Sequence, residues 1–296
     1  MRVTPSMNMA STLRELNASF QRLTKTQSQM STGKVLTSAS DDPNVALKSM
    51  NIRNSLAQYD VFDRAVGDAR GWLGAADSAL TGASDTLIRA KETLVRASNT
   101  GSLGDPNARQ ALAADIRAVR SELLALANTS YNGRSVFGGT VAGAAYSAAG
   151  AYQGNTASVV RDVDPYTSVT VNVTGIDAFG DPAAAGGDVF AVLDAIATAI
   201  SNGDDAALAA GHTALDTASA RISNALVTVG SRGKQMELRE TRNADERERL
   251  SSLLTNTEDI DLADVMVHLK EQENAYQAAL QVAGNILPKS LVDYLR

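Results

Sequence analysis

The sequence contains no cysteine, which excludes disulfides, thiolate zinc sites and cysteine nucleophiles together. Histidine is nearly absent too. His212 and His268 each fall within a helical pattern, where a half-buried helix position is the ordinary reading and a ligand or base the exceptional one. Aromatics make up only 4% of the 296 residues, so Ala, Val and Leu must supply most of the packing. Small side chains let helices approach closely and suit a long thin bundle better than a globule around a pocket. No stretch approaches the roughly 20 apolar residues of a membrane helix, and Met1–Ser6 lacks the charged-then-apolar run of a secretory signal. Those two observations predict a soluble chain that does not use the general secretion route. The formal net charge is −6 with no basic run, which argues against nucleic acid as a partner.

Both ends of the chain carry an apolar stripe. Near the start it runs Met9, Leu13, Leu16, Phe20, Leu23, Gln27, Met30. Near the end it runs Leu262, Val265, Leu269, Gln272, Tyr276, Ala279, Ala283, Ile286. The steps alternate between three and four residues, the repeat that keeps one helix seam facing a partner helix. A narrow seam cannot bury itself in an isolated helix. The two ends are therefore predicted to pair with each other and to offer surfaces for assembly.

Polar punctuation divides the rest. Residues 31–42 form a Ser/Thr-rich break, and Asp42-Pro43 then marks a helix start, Asp accepting from free amides and Pro tolerated at the first position. Asp105-Pro106 repeats that signal after the Asn99-Thr100-Gly101 stop. The spacing predicts a helix over 43–99, weakened at Gly67, Gly71, Gly74 and Gly82, and a second over 106–131 forming a hairpin with it. Between Gly133 and about Pro182 the pattern turns strand-like. Val169, Val171 and Val173 alternate with Thr170, Asn172 and Thr174, and segments 134–140 and 158–163 are the expected neighbours. Helix resumes at Asp188, stops at Ser201-Asn202-Gly203, and restarts for a long run over 205–255. Leu208, Leu215, Ile222, Val229, Met236 and Leu250 fall at steps of seven there, with Asn243 at the missing step. One polar residue in such a seam often fixes register. Thr255-Asn256-Thr257 is the expected break before the last helix.

The plan is a palindrome of terminal helix, joint, long helix, insert, long helix, joint, terminal helix. It predicts a mainly α, elongated bundle with paired terminal coiled-coil helices and a small β-rich insert. The divisions are 1–42 with 256–296, 43–132 with 188–255, and 133–187. Side chains of residues 1–40 sum to +4 and those of 258–296 to −4, which favours pairing of the ends. The same heptads would also suit a cytoplasmic signalling coiled coil of the chemoreceptor type, which gives no reason for a central insert.

Chemistry finds little purchase. Asp41-Asp42 reads as a helix cap rather than a paired-carboxylate site, Gly138-Gly139 as a hairpin turn rather than a phosphate cradle, and Met7, Met9 and Met30 as seam residues rather than metal ligands. Trp72 is expected to pack between the long helices. No catalytic, cofactor or metal site is predicted, since an enzyme needs a convergent polar pocket.

Several motifs then converge. Arg22-Leu23-Thr24-Lys25-Thr26-Gln27, Met30-Ser31-Thr32-Gly33-Lys34 and Ser40-Asp41-Asp42-Pro43 resemble the amino-terminal signature of the bacterial flagellin superfamily. Met1-Arg2-Val3-Thr4, Asn132–Thr140 and Ser290-Leu291-Val292-Asp293-Tyr294-Leu295 are more similar to its hook–filament junction branch than to filament flagellin, the nearest rival. Asn285-Ile286-Leu287-Pro288 follows a flagellin-like pattern, and Pro288 predicts a bend near Ile286. The resemblance implies a structural part of the flagellum, exported by the flagellar type III route to an extracellular position. It implies four kinds of partner: neighbouring copies, another hook-associated protein on the hook side, flagellin on the filament side, and an export chaperone. The assembly interface would be carried by Met9, Leu13, Leu16, Phe20, Leu23, Met30, Leu262, Val265, Leu269, Tyr276 and Ile286.

Overall fold

The computed structural model describes residues 5–99, 105–184 and 187–286. Among these described residues, seven helices and four short strands follow in the order α1 (Pro5–Thr32), α2 (Pro43–Ser98), α3 (Pro106–Ala127), β1 (Ser130–Tyr131), β2 (Arg134–Ser135), β3 (Val160–Asp164), β4 (Thr167–Thr170), α4 (Gly175–Phe179), α5 (Val189–Asn202), α6 (Asp205–Glu258) and α7 (Leu262–Ile286). The chain forms two compact units, one of residues 1–58 with 246–296 and one of residues 59–245. The long helices α2 and α6 contribute to both.

Helix boundaries follow local chemistry. Asp42 Oδ1 accepts from the amides of Asn44 and Val45 at 3.0 and 3.2 Å, and Asp105 caps α3 through Asn107 at 2.8 Å, each just before a proline. Asp188 caps α5, and Gly203 ends it at φ 69°, a left-handed conformation that glycine adopts without steric cost. The glycines of α2 do not interrupt it. Each costs about 1 kcal/mol of helix propensity, but at Gly71 the missing side chain is used, because a Cβ there would lie 2.2 Å from the Tyr131 hydroxyl. The expected break at Thr255-Asn256-Thr257 is absent. α6 runs through it to Glu258, with Thr257 Oγ1 donating back to the Leu253 carbonyl at 2.7 Å, so the turn residues stay helical and the break falls at 259–261. The predicted bend at Pro288 lies outside the described residues.

In the unit of residues 59–245, α2, α3, α5 and α6 surround one apolar core that extends from Val66 to Met236. α3 runs back along α2, as Trp72 on Tyr131 (6.2 Å, edge-on) and the Arg89–Glu122 ion pair show. α6 also runs antiparallel to α2, through Arg70–Glu240, Lys91–Asp216 and the Ser98–His212 contact. Leu208, Leu215, Ile222, Val229 and Met236 are all buried. Asn243, next in that series, is 2% exposed and donates Nδ2–H to the Val163 carbonyl at 3.1 Å. The polar residue in the seam therefore receives a strand from the insert.

The insert departs from expectation. Among the described residues the strands form two hairpins, β1–β2 and β3–β4, with an isolated bridge between Tyr146 and Tyr152, and segment 134–140 is strand only at Arg134–Ser135. The tight turn is Asn132-Gly133, at φ 49° and 76°, the left-handed pair that a two-residue hairpin requires, and not Gly138-Gly139. The alternation at 169–174 does not produce a half-buried strand. Val171, Asn172, Val173 and Thr174 are all buried, because Asn172 faces inward and bonds the Val159 amide and the Ala157 carbonyl. What fills this region is a cluster of the scarce aromatics. Phe137, Tyr146, Tyr152, Phe179 and Phe190 meet at centroid distances of 5.0–6.1 Å. Rings bury large area per residue and prefer such edge-on or tilted arrangements, so a few suffice where regular structure is sparse.

Candidate assembly surface on the terminal helices

In the unit of residues 1–58 with 246–296, α1 packs along α7. The two run antiparallel, with Thr26 Oγ1 donating to Gln272 Oε1 at 2.9 Å and Phe20 against Tyr276 at 5.7 Å. On α7 the inward face is Val265, Leu269, Gln272, Tyr276, Ala279 and Ala283, at the anticipated spacing. On α1 the face is rotated from the predicted stripe. Leu16, Leu23 and Met30 turn inward, but they share the seam with Ser19 and Thr26. Gln27 is exposed, a correction to the predicted stripe: its neighbour Thr26 takes the seam position instead, with its hydroxyl satisfied by Gln272 and by the Arg22 carbonyl.

The other predicted interface residues lie on the open side. Met9 (38% exposed), Leu13 (44%) and Phe20 (51%) on α1, and Leu262 (56%) on α7, face solvent. Met266, Val267, Leu280 and Val282 join them, which sequence reading missed because they stand off the single best stripe. Ile286 ends α7, and its side chain lies outside the described residues. A two-helix pair thus buries one narrow seam and leaves apolar side chains exposed on both helices.

The ends of this pair are joined through polar chemistry. The Val35 amide donates to the Glu258 carbonyl at 2.6 Å and the Ile260 amide to the Gly33 carbonyl at 3.1 Å, bridging Lys34 to Asp259. Glu258 is 5% exposed. Arg53 grips both its oxygens at 2.9 and 2.7 Å, Ser49 donates to Oε1, and Lys34 Nζ lies 3.3 Å from Oε2. The Arg53 hydrogen bonds, with those from Ser49 and Lys34, hold its carboxyl down at about 2. Nearby, Asp41 accepts from the Thr37 hydroxyl and amide and the Ser38 amide, with Lys25 at 3.3 Å, and is likewise lowered to about 2. Asp42 alone is the helix cap, so the Asp41-Asp42 pair divides its work. The signal for Glu258 was present in the sequence as opposite charges in two polar joints, Lys34 in one and Glu258-Asp259 in the other. Among the described residues no group of three His, Asp or Glu is placed to hold a metal ion, and no helix is long and apolar enough to cross a membrane.

Comparison with known proteins places this geometry. The profile of the bacterial flagellin N-terminal helical region matches residues 3–142. Flagellar hook-associated protein 3 of Salmonella typhimurium is 27% identical, and its Escherichia coli counterpart 28% identical, each aligned over 98% of both chains. The crystal structure of Bacillus cereus FlgL is 27% identical and superposes with a TM-score of 0.60, covering 69% of this chain and 99% of that one. By profile over its amino-terminal part and by relatives over nearly its whole length, the chain is similar to the bacterial flagellin superfamily and, within it, to hook-associated protein 3.

Proposed function

We propose that the chain is a structural, non-catalytic adaptor that joins the flagellar hook to the filament, with its terminal helices supplying the faces by which copies assemble. The observation that supports this most is the α1–α7 pair, which is closed along one seam and open along apolar flanks on both helices. Leu13 and Phe20 on one helix and Met266, Val267, Leu280 and Val282 on the other are surfaces a second pair of helices would cover. The partners are neighbouring copies, another hook-associated protein on the hook side and flagellin on the filament side. Export follows the flagellar type III route with a chaperone over the carboxy-terminal seam, and the protein ends outside the cell in the flagellum. The full interface comprises Met9, Leu13, Leu16, Phe20, Leu23, Met30, Leu262, Val265, Leu269, Tyr276 and Ile286. Deleting the gene tests the adaptor role: hooks should persist, filaments should be missing, and unpolymerised flagellin should accumulate in the medium. Normal filaments after deletion would rule it out.

A further inference from the structure

The α1–α7 seam is poorly equipped to define its own register. Its fully buried centre is only Ser19, Leu23 and Thr26 on α1 and Ala283 on α7; the larger Leu16, Met30, Val265, Leu269 and Tyr276 line the seam but stay part-exposed. Seams of small and polar residues tolerate a slip far better than seams of interlocking large ones. The backbone bridge at Lys34 and Asp259 offers only two hydrogen bonds, and an isolated strand pair is marginal in water. Beyond the single Thr26–Gln272 bond and the Phe20–Tyr276 contact within the seam, what remains is the polar cluster built around one side chain. Glu258 ends α6, and its carboxylate reaches Arg53 and Ser49 on α2 and Lys34 on the segment leaving α1, while its own carbonyl accepts from Val35. Asp259 shares Lys34 at 2.6 Å. Three chain segments, α2, the stretch leaving α1 and the end of α6, therefore converge on a single buried anion at the point where α1 ends and α7 is about to begin.

We infer that Glu258 is the positioning residue that sets the register of the α1–α7 pair, and that removing its charge lets the pair slip or part while every helix stays formed. A buried acid with several donors is strongly specifying, because a slip leaves the buried Glu258 carboxylate short of the donors that compensate its burial. For assembly the consequence rests on the function proposed above, since register decides how the apolar flanks of the two helices align. The latch itself is read in the isolated full-length chain, so its failure and the failure of the adaptor role are separable.

The absence of native cysteine makes the test direct. Thr26→Cys and Gln272→Cys place one thiol on each helix at the observed side-chain contact, and a short bismaleimide reports their proximity by gel mobility. In this background Glu258→Gln should slow cross-linking by roughly tenfold or more, with helical circular dichroism unchanged. Arg53→Gln should slow it as well, and Glu271→Gln, on the exposed face of α7, should leave the rate unchanged. Cross-linking of Glu258→Gln at the parent rate would overturn the inference, since the seam would then set register alone. Loss of helicity in Glu258→Gln would overturn it too, because the residue would then hold the helices themselves rather than their alignment.

Discussion

Glu258 carries opposite requirements in one residue: it is withdrawn from water, yet it must stay charged to be useful. Burial alone would raise its carboxyl, but the Arg53, Ser49 and Lys34 contacts outweigh this and bring it from an ordinary 4.5 to about 2. A carboxyl held lower in the folded chain than in the unfolded one contributes stability that is complete above the unfolded value and is lost as pH falls through the folded one. The relevant window therefore lies between 4.5 and about 2. Lys34, Arg53 and the neighbouring Asp259 are the charged groups facing it, and the two cations stay charged throughout. Asp41, lowered by its Thr37 and Ser38 bonds, titrates across the same range and must be separated from it. Followed by circular dichroism at fixed temperature, the native chain should lose stability across this window. Glu258→Gln should lose distinctly less over the same range, and Asp41→Asn provides the control for the second carboxyl. Identical acid profiles for the native chain and Glu258→Gln would show that the Glu258 carboxylate does not stabilise the fold.

Among the elements, the long ones were legible in the sequence because their signals are periodic and repeated. The seven-residue step on α6 and the Asp-Pro starts of α2 and α3 needed no tertiary information. The insert was not legible for a physical reason. Its core is made by five aromatic rings drawn from segments far apart in sequence, and no local period encodes such a meeting. Valine alternation at 169–173 was misleading, because Asn172 is buried by side-chain bonds to the backbone rather than turned outward. The terminal helices fall between these cases. Period identified the helices and most of the α7 face, but on α1 the choice between Phe20 and Ser19 depends on how closely α7 approaches. That difference is testable by substitution. Leu23 is 9% exposed and Phe20 51%, so Leu23→Asp places a charge in the seam between α1 and α7 and should part them in the isolated chain. Phe20→Asp should leave the pair nearly intact in solution, at the cost of the Tyr276 contact, yet block incorporation into the flagellum. Cross-linking at the 26/272 pair and a motility assay separate the two. Equal loss of pairing in both variants would mean that Phe20 belongs to the inner seam.

For the molecule as a whole, the distribution of apolar burial implies unequal stability. The continuous core extends from Val66 to Met236 and so lies entirely within residues 59–245. In the unit of residues 1–58 with 246–296, the buried apolar side chains among the described residues are Leu23, Ile52, Leu250 and Ala283. Apolar burial is the main favourable term in folding at about 25 cal/mol per Å², whereas ordering costs about 1–2 kcal/mol per residue of backbone wherever it occurs. A unit with few buried apolar groups and long exposed helices must melt first. Differential calorimetry of the intact chain should accordingly resolve two transitions, the lower belonging to the unit that contains α1 and α7. Two substitutions assign them. Asn243→Ala leaves the Val163 carbonyl buried without its donor, a loss of about 1–3 kcal/mol, which should lower the upper transition by several degrees and leave the lower one in place. Leu23→Asp should abolish or depress the lower transition alone. If both substitutions move a single shared transition, the two units fold as one cooperative body. The terminal pair would then be as firmly built as the core, and the idea that its exposed flanks await neighbouring copies for their stability would have to be abandoned.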